Sequence, residues 1–104
     1  MNKPNIVLIL VDALRAKSLG CYGNSSGVSP TIDSLAKKGV LFENCFTCSN
    51  ASDPALTSLM SGMGTRSHGI LHHSFEVTES EVNAFQEKKI RLVQEILSDD
   101  GYKT

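Results

Sequence analysis

The feature that most constrains the fold is an uninterrupted apolar run near the N-terminus, IVLILV at residues 6–11. Its apolar residues do not alternate with polar ones, and most of them are β-branched, so the run predicts a strand buried on both faces. Such strands occur in parallel sheets that helices cover on both sides. A second apolar stretch, VLFENCF at residues 40–46, predicts another strand. The expected fold class is therefore α/β with a largely parallel sheet.

Three further segments carry the start and stop signals of helices. Each of the first two opens near a proline, which fits the first turn of a helix, and closes at a glycine. The third opens with Thr78-Glu79-Ser80-Glu81, in which Thr78 and Glu81 have the spacing of a capping box. The predicted helices cover residues 30–38, 54–61 and 79–98, and residues 63–78 are predicted to form a loop.

The order of these elements is strand, helix, strand, helix, helix, which is the opening of a layered α/β fold. The last helix leaves through DGYKT, a stretch that would normally lead into another buried strand. We therefore expect residues 1–104 to form one partial domain, the N-terminal segment of a larger protein. Apolar edges left uncovered by missing strands would favour self-association.

Charge and composition argue against several kinds of partner. Ten basic and eleven acidic residues give a net charge of -1, and their mixing along the chain leaves no basic patch for nucleic acid. The apolar run at residues 6–11 is far shorter than the ~20 residues of a membrane span. It also lacks a signal-peptide cleavage site. Because three cysteines is an odd count without secretory context, we expect reduced thiols and a cytoplasmic location.

Two pairs of potential metal or redox ligands have simpler explanations. Cys45 and Cys48 form a CxxC, but Cys21 alone does not complete a structural zinc site, and the motif does not open a helix after a strand. Burial as small apolar side chains is the favoured interpretation, and a small thiol or metal-binding module is the alternative. His72 and His73 could bind a metal, but adjacent histidines in a polar loop are more often solvated.

Asp12 and Ser52 are the candidate functional residues. Asp12 follows the first predicted strand, at the edge where α/β folds place ligands, and hard divalent cations prefer such oxygen ligands. Ser52 precedes Asp53-Pro54 at a predicted helix start, where N–H groups favour an anionic oxygen. The alternatives are structural: Asp12 ends the strand, and Asp53 caps the helix with Pro54 as its first residue.

Five segments, in order and with matching spacing, resemble the N-terminal part of one enzyme family. They read PNIVLILVDALRAKSLGCYG, SPTIDSLAKKGVLFENCF, SDPALTSLMSG, SHGI and ILSDDGYKT. Together they are similar to the sulfatase family within the alkaline phosphatase superfamily. The resemblance implies a three-layer α/β/α fold and an enzyme that cleaves a sulfate or phosphate ester at a divalent metal. Calcium is the first expectation for the metal, with magnesium, manganese or zinc as alternatives.

The resemblance also implies roles for individual residues. Asp12 would coordinate the metal. Ser52 would be the nucleophile, or the precursor of a formylglycine, and a second metal ligand. His68 matches the histidine of the family's H-G motif and is expected to shape the site without touching the substrate. Substrate-binding residues are not implied within this chain.

Three positions depart from the family pattern. Ala13 stands where many sulfatases carry a second aspartate after Asp12. Leu56 replaces the arginine of the modification signal C/S-x-P-x-R, and Met63 replaces a second arginine. These losses leave an alternative open, a phosphatase or phosphodiesterase that uses unmodified Ser52.

The predicted function is that of a sulfatase-like hydrolase acting on a small-molecule ester. Family members carry further metal ligands, a lysine and histidines in later segments. Residues 1–104 alone are therefore expected to be catalytically incomplete. A non-catalytic fragment that keeps the scaffold is the remaining alternative.

Overall fold

The computed structural model describes residues 3–73, 76 and 78–104. It divides into two compact units, Met1–Cys45 and Phe46–Thr104. In the described part of the chain, no helix has the length and apolar character to cross a membrane. The prediction of one partial domain over residues 1–104 stays a prediction.

The two predicted strands are absent from the described residues, which contain helices and turns only. Residues 6–11 form no regular element, and their side chains are 49–81% exposed. Residues 40–46 are irregular as well, with Phe42 and Phe46 67% and 86% exposed. A strand is stable only when its backbone pairs with a neighbour, and neither run has a paired strand in the described residues. The described residues therefore do not confirm the expected parallel sheet.

The first unit contains one α-helix, α1 at Pro30–Lys38, as the Ser-Pro start predicted. Ser29 is its N-cap residue, and Gly39 follows as the C-cap. Two short 3₁₀ turns, Ala16–Ser18 and Gly20–Tyr22, precede it.

The Asp33 carboxylate joins α1 to the second of these turns. Asp33 Oδ1 accepts a hydrogen bond from the Cys21 N–H at 2.7 Å and from the Ser29 hydroxyl at 3.1 Å. The buried Ser29 Oγ in turn accepts from the Gly20 N–H at 2.8 Å. Gly20 packs so closely on this carboxylate that a Cβ atom would collide with it. This network fixes the loop between residues 18 and 30 without an apolar core.

In its described residues the second unit contains four helices. Helix α2 starts at Ser52, two residues before the predicted start at Pro54. Helix α3 lies within the segment predicted to be a loop; residues 74, 75 and 77 of that segment lie outside the described residues. The bounds are Ser52–Ser61 for α2, Thr65–His68 for α3, Glu79–Glu87 for α4 and Val93–Asp99 for α5.

The single long helix predicted over residues 79–98 is wrong, because the chain breaks between α4 and α5. Lys89 adopts a left-handed backbone with φ of 51°, which a continuous helix excludes. Leu92 is the N-cap of α5, and its N–H donates to Glu95 Oε2 at 2.7 Å. The start of α4 is confirmed: Thr78 and Glu81 form the predicted capping box.

The described residues bury little apolar surface. Among them only Ser29, Pro54 and His68 are buried, and none of the described valine, leucine, isoleucine, methionine or phenylalanine side chains is. In the second unit an open apolar groove of about 410 Å³ runs along α2 and α4. Leu56 and Phe85 are among its lining residues. The predicted stripe of α4 and α5 is thus partly exposed, with Ile96 50% exposed.

Candidate functional site

Ser52 is the first residue of α2, and Ala51 is the N-cap. The expected assignment of Asp53 as N-cap and Pro54 as the first helical residue is wrong by two positions. The first intrahelical bond of this end runs from the Ala55 N–H to the Ala51 carbonyl at 3.2 Å. The N–H groups of a helix's first turn have no partners within the helix, so Ser52 lies in an environment that favours negative charge.

Two side-chain bonds shape the loop that leads to Ser52. The Thr47 hydroxyl donates to the Ser49 carbonyl at 2.8 Å, and Ser49 Oγ accepts from the Ala51 N–H at 3.2 Å. Hydroxyl residues in such turns replace regular backbone pairing. At the far end, Gly62 closes α2 with φ of 68°, which confirms the predicted glycine stop.

Asp53 pairs with His73 next to Ser52. His73 Nδ1 lies 3.0 Å from Asp53 Oδ2, and the two side chains are 56% and 36% exposed. Both loop histidines are exposed, as expected, and His73 in addition contacts a carboxylate. Its bond to a residue of α2 was not foreseen, because sequence spacing alone gives no partner to a histidine twenty positions away.

His68 is the most buried titratable residue described, with 1% exposure. It ends α3, and both ring nitrogens have partners: Nε2 lies 2.8 Å from Ser58 Oγ, and Nδ1 accepts from the Ile70 N–H at 3.1 Å. Burial lowers the pKa of the ring, and Lys88 lowers it further, against a hydrogen bond with the Pro54 backbone that raises it. The predicted supporting position of His68 matches this geometry, whereas its partner Ser58 was missed.

Asp12 lies in a turn and is exposed. The turn continues into Ala13, whose φ of 56° is rare for any residue with a side chain. Asp12 belongs to the first unit and Ser52 to the second. Their convergence on one cation stays a prediction.

The described residues do not build a complete metal site. No three His, Cys, Asp or Glu side chains in that part of the chain are grouped to hold an ion. A hard cation such as calcium takes about six to eight oxygen ligands, so one carboxylate and one hydroxyl would be a partial set. The thiols of Cys45 and Cys48 are exposed and free, so their expected burial is wrong.

Leu56 and Met63 stand at the two positions where the family pattern would carry arginine. Leu56 lies on α2 and lines the apolar groove, and it is 42% exposed. Met63 follows Gly62 and is 36% exposed. Neither side chain supplies a cation, and next to Ser52 in the chain the Asp53 carboxylate pairs with the His73 imidazole.

The family of the chain follows from comparison with known proteins. The Sulfatase family model matches residues 4–104, so the chain belongs to the sulfatase family. This family implies an alkaline-phosphatase-like fold and the use of a divalent metal.

Several curated sulfatases are similar to the chain. It is 42% identical over 67 residues to an arylsulfatase of Clostridium perfringens, a match that covers 64% of the chain and 14% of that protein. It is 30% identical over 101 residues to a Delta 4,5-hexuronate-2-O-sulfatase of Bacteroides thetaiotaomicron, covering 97% and 20%. It is 32% identical over 102 residues to the N-sulphoglucosamine sulphohydrolase of Homo sapiens, covering 96% and 19%. The chain thus spans a fifth or less of these relatives. No solved structure matches it significantly.

Proposed function

We propose that the intact protein is a hydrolase of sulfate esters and that residues 1–104 supply Ser52 as its nucleophile. The observation that carries this proposal is the match of the sulfatase family model to nearly the whole chain. The relatives bear the names of sulfatases, and the substrate class proposed here, a small-molecule sulfate ester, is taken from those names. In the intact protein, residues 6–11 and 40–46 would pair as strands of the family's sheet.

The position of Ser52 supports its role as nucleophile. Its hydroxyl oxygen would form the new bond to sulfur as the bond from sulfur to the ester oxygen breaks, and the hydroxyl proton would leave on that oxygen with the alcohol. Water would then release sulfate from Ser52 and restore its hydroxyl. Negative charge builds on the oxygens around sulfur during this exchange, and the first turn of α2 offers backbone N–H groups to anionic oxygen. The two hydroxyl turns at Thr47 and Ser49 would hold the approach to the helix in place.

Asp12 and Ser52 are proposed as the metal ligands that this part of the chain contributes. A divalent cation would stabilise charge on the ester oxygens and on the nucleophile. The remaining ligands would come from other residues of the intact protein, since the described residues group too few donors for a complete site. Calcium is proposed first on the resemblance to the sulfatase family, and oxygen donors such as these suit a hard cation.

Replacement of Ser52 tests the proposed nucleophile. Ser52→Ala in the intact protein should reduce hydrolysis of an aryl sulfate by more than about 10³-fold, because no other hydroxyl can take its place in a bond-forming step. Ser34→Ala, on the exposed face of α1, is the matched control and should retain activity. Full activity in Ser52→Ala would reject the assignment.

Replacement of Asp12 tests the proposed metal ligand by a readout that is independent of turnover. Calorimetric titration of the metal-free intact protein with calcium should show affinity at least about 10-fold weaker in Asp12→Ala than in wild type. Asp100→Ala removes an exposed carboxylate after α5 and should leave the affinity unchanged. Equal affinities in all three proteins would remove Asp12 from the site.

A phosphatase or phosphodiesterase that uses unmodified Ser52 is the second candidate. It is favoured by Leu56, whose side chain lines the apolar groove and supplies neither the modification signal nor a cation for sulfate. Mass spectrometry of the peptide containing Ser52 separates the two. Loss of two hydrogen atoms indicates formylglycine and a sulfatase, whereas an intact serine with faster cleavage of aryl phosphate than of aryl sulfate indicates the alternative.

A further inference from the structure

The His68 ring connects α3 to α2 from a fully buried position. Nε2 lies 2.8 Å from the Ser58 hydroxyl on α2, while Nδ1 accepts from the Ile70 N–H at 3.1 Å. Since Nδ1 accepts a hydrogen bond, the hydrogen of the neutral ring is on Nε2, which donates to Ser58 Oγ. His68 therefore has one bond within its own segment and one bond to the helix that begins with Ser52.

Helix α2 carries the effect of this contact to Ser52. Ser58 is six residues from Ser52, or about 9 Å along the helix axis. Pro54, in the first turn between them, is buried. Because an α-helix moves as a rigid element over such a short distance, a ring that holds Ser58 also restrains the end of the helix.

We propose that His68 is a positioning residue for Ser52: through its Nε2–H it fixes helix α2 and so sets the place of the Ser52 hydroxyl during reaction. This inference rests on the proposed role of Ser52 as nucleophile. A purely local role would need only the bond from Ile70 to Nδ1, which shapes the loop after α3. A positioning role therefore depends on Nε2, whereas a loop-shaping role depends on Nδ1.

Two substitutions of His68 by amide residues distinguish the functions of its two ring nitrogens in the intact protein. In His68→Gln the side-chain amide reaches toward the place of Nε2 and can still donate to Ser58. In His68→Asn the shorter amide reaches only toward Nδ1 and can still accept from Ile70. We expect His68→Asn to lower kcat for an aryl sulfate by about 10²-fold with little change in KM, because a displacement of about 1 Å is enough for that loss. His68→Gln should recover most of the activity.

Ser58 provides an independent test on the helix itself. Ser58→Ala removes the partner of Nε2 and should lower kcat in the same way as His68→Asn. Ser61→Ala is the matched control, because the Ser61 hydroxyl donates to the Thr57 carbonyl within α2 and does not contact His68. If His68→Asn fails to fold, as judged by circular dichroism, the comparison of Ser58→Ala with Ser61→Ala decides the question.

The outcomes distinguish this inference from the proposed function. Loss of activity in Ser52→Ala together with a normal kcat in Ser58→Ala would overturn the positioning role and leave the nucleophile in place. A higher kcat in His68→Asn than in His68→Gln would show that the ring only shapes its own loop. That result would also overturn the positioning role. Full activity in Ser52→Ala would reject the proposed function itself.

Discussion

At the residue scale, the Asp33 carboxylate organises a loop that has no apolar core. It receives hydrogen bonds from the Cys21 N–H and the Ser29 hydroxyl, and Ser29 receives one from Gly20. A buried or half-buried carboxylate that loses its donors is left with an uncompensated cost of desolvation. The absence of a side chain at Gly20 is what allows this approach.

Gly20→Ala should therefore destabilise the first unit. The added Cβ meets the carboxylate of Asp33, which must move and release its bonds to Cys21 and Ser29. We expect a loss of about 1–3 kcal/mol in the free energy of unfolding, measured by urea denaturation. Gly64→Ala is the control, since a Cβ there meets no atom within 4 Å. Equal stability of the two variants would contradict this role of Asp33.

His68 makes the stability of the second unit dependent on pH. Its pKa in the folded chain lies below its ordinary value of 6.5, chiefly because of burial, so the unfolded chain binds more protons between the two values. The stability that neutral His68 contributes is thus complete above pH 6.5 and is lost as the pH falls from there toward the folded pKa.

Urea denaturation at several pH values checks this expectation. Wild type should lose stability between about pH 7 and about pH 5, and His68→Gln should lose less, because the glutamine does not titrate. His72 and His73 remain in both proteins, so the difference between the two curves belongs to His68. Parallel curves would show that its ionisation is not coupled to folding.

At the element scale, helix α4 depends on its capping box. The Glu81 N–H donates to Thr78 Oγ1 at 3.3 Å, and Glu81 Oε2 accepts from the Thr78 N–H at 2.9 Å. Hydrogen bonds from the Thr78 backbone and hydroxyl lower the pKa of Glu81, so its carboxylate stays ionised to lower pH than a free glutamate.

Thr78→Ala should fray this helix. Loss of an N-cap hydroxyl costs about 1 kcal/mol, and α4 has an exposed face with few tertiary contacts to compensate. Amide hydrogen exchange in residues 79–83 should accelerate several-fold, while exchange in α2 is unchanged. Ser98→Ala is the control, since it removes an exposed hydroxyl from α5 and leaves the capping box intact. Similar exchange in the two variants would show that the box does not hold the helix.

At the scale of the whole molecule, a structural element could be predicted from the sequence when the interactions that form it lie close together along the chain. The starts of α1 and α4 and the stop of α2 depend on residues within one turn, so Pro30, the Thr78 capping box and Gly62 revealed them. The break at Lys89 depends on a left-handed backbone. The residue there is neither glycine nor asparagine, so the sequence does not indicate this conformation. The two strands need partners distant in sequence, and the described residues supply none.

The candidate site shows the same division. Ser52 at a helix start was predictable because Pro54 marks the first turn, although the exact N-cap was not. Two contacts join separate segments, that of His68 with Ser58 and that of His73 with Asp53. Such contacts leave no periodic pattern in the sequence from which they could be predicted. A cytoplasmic location and the convergence of Asp12 with Ser52 stay predictions.

The exposed apolar run should make the 104-residue chain associate with itself. Val7 and Ile9 are 81% and 74% exposed, and an unpaired apolar segment of this kind tends to pair with another copy. Light scattering should show particles larger than a monomer, and the double variant Val7→Lys with Ile9→Lys should reduce their mass. Ser25→Lys with Thr31→Lys adds the same charge at exposed polar positions and should not. A monodisperse monomer for the unmodified chain would contradict the expectation.

The left-handed backbone at Ala13 bears on how this chain could diverge. Alanine is strained at φ of 56°, whereas aspartate and asparagine adopt that region more readily. An Ala13→Asp exchange would therefore relax the turn and place a second carboxylate beside Asp12 without rerouting the loop. The backbone at this position is already one that aspartate adopts more readily than alanine, so such an exchange need not disturb its neighbours.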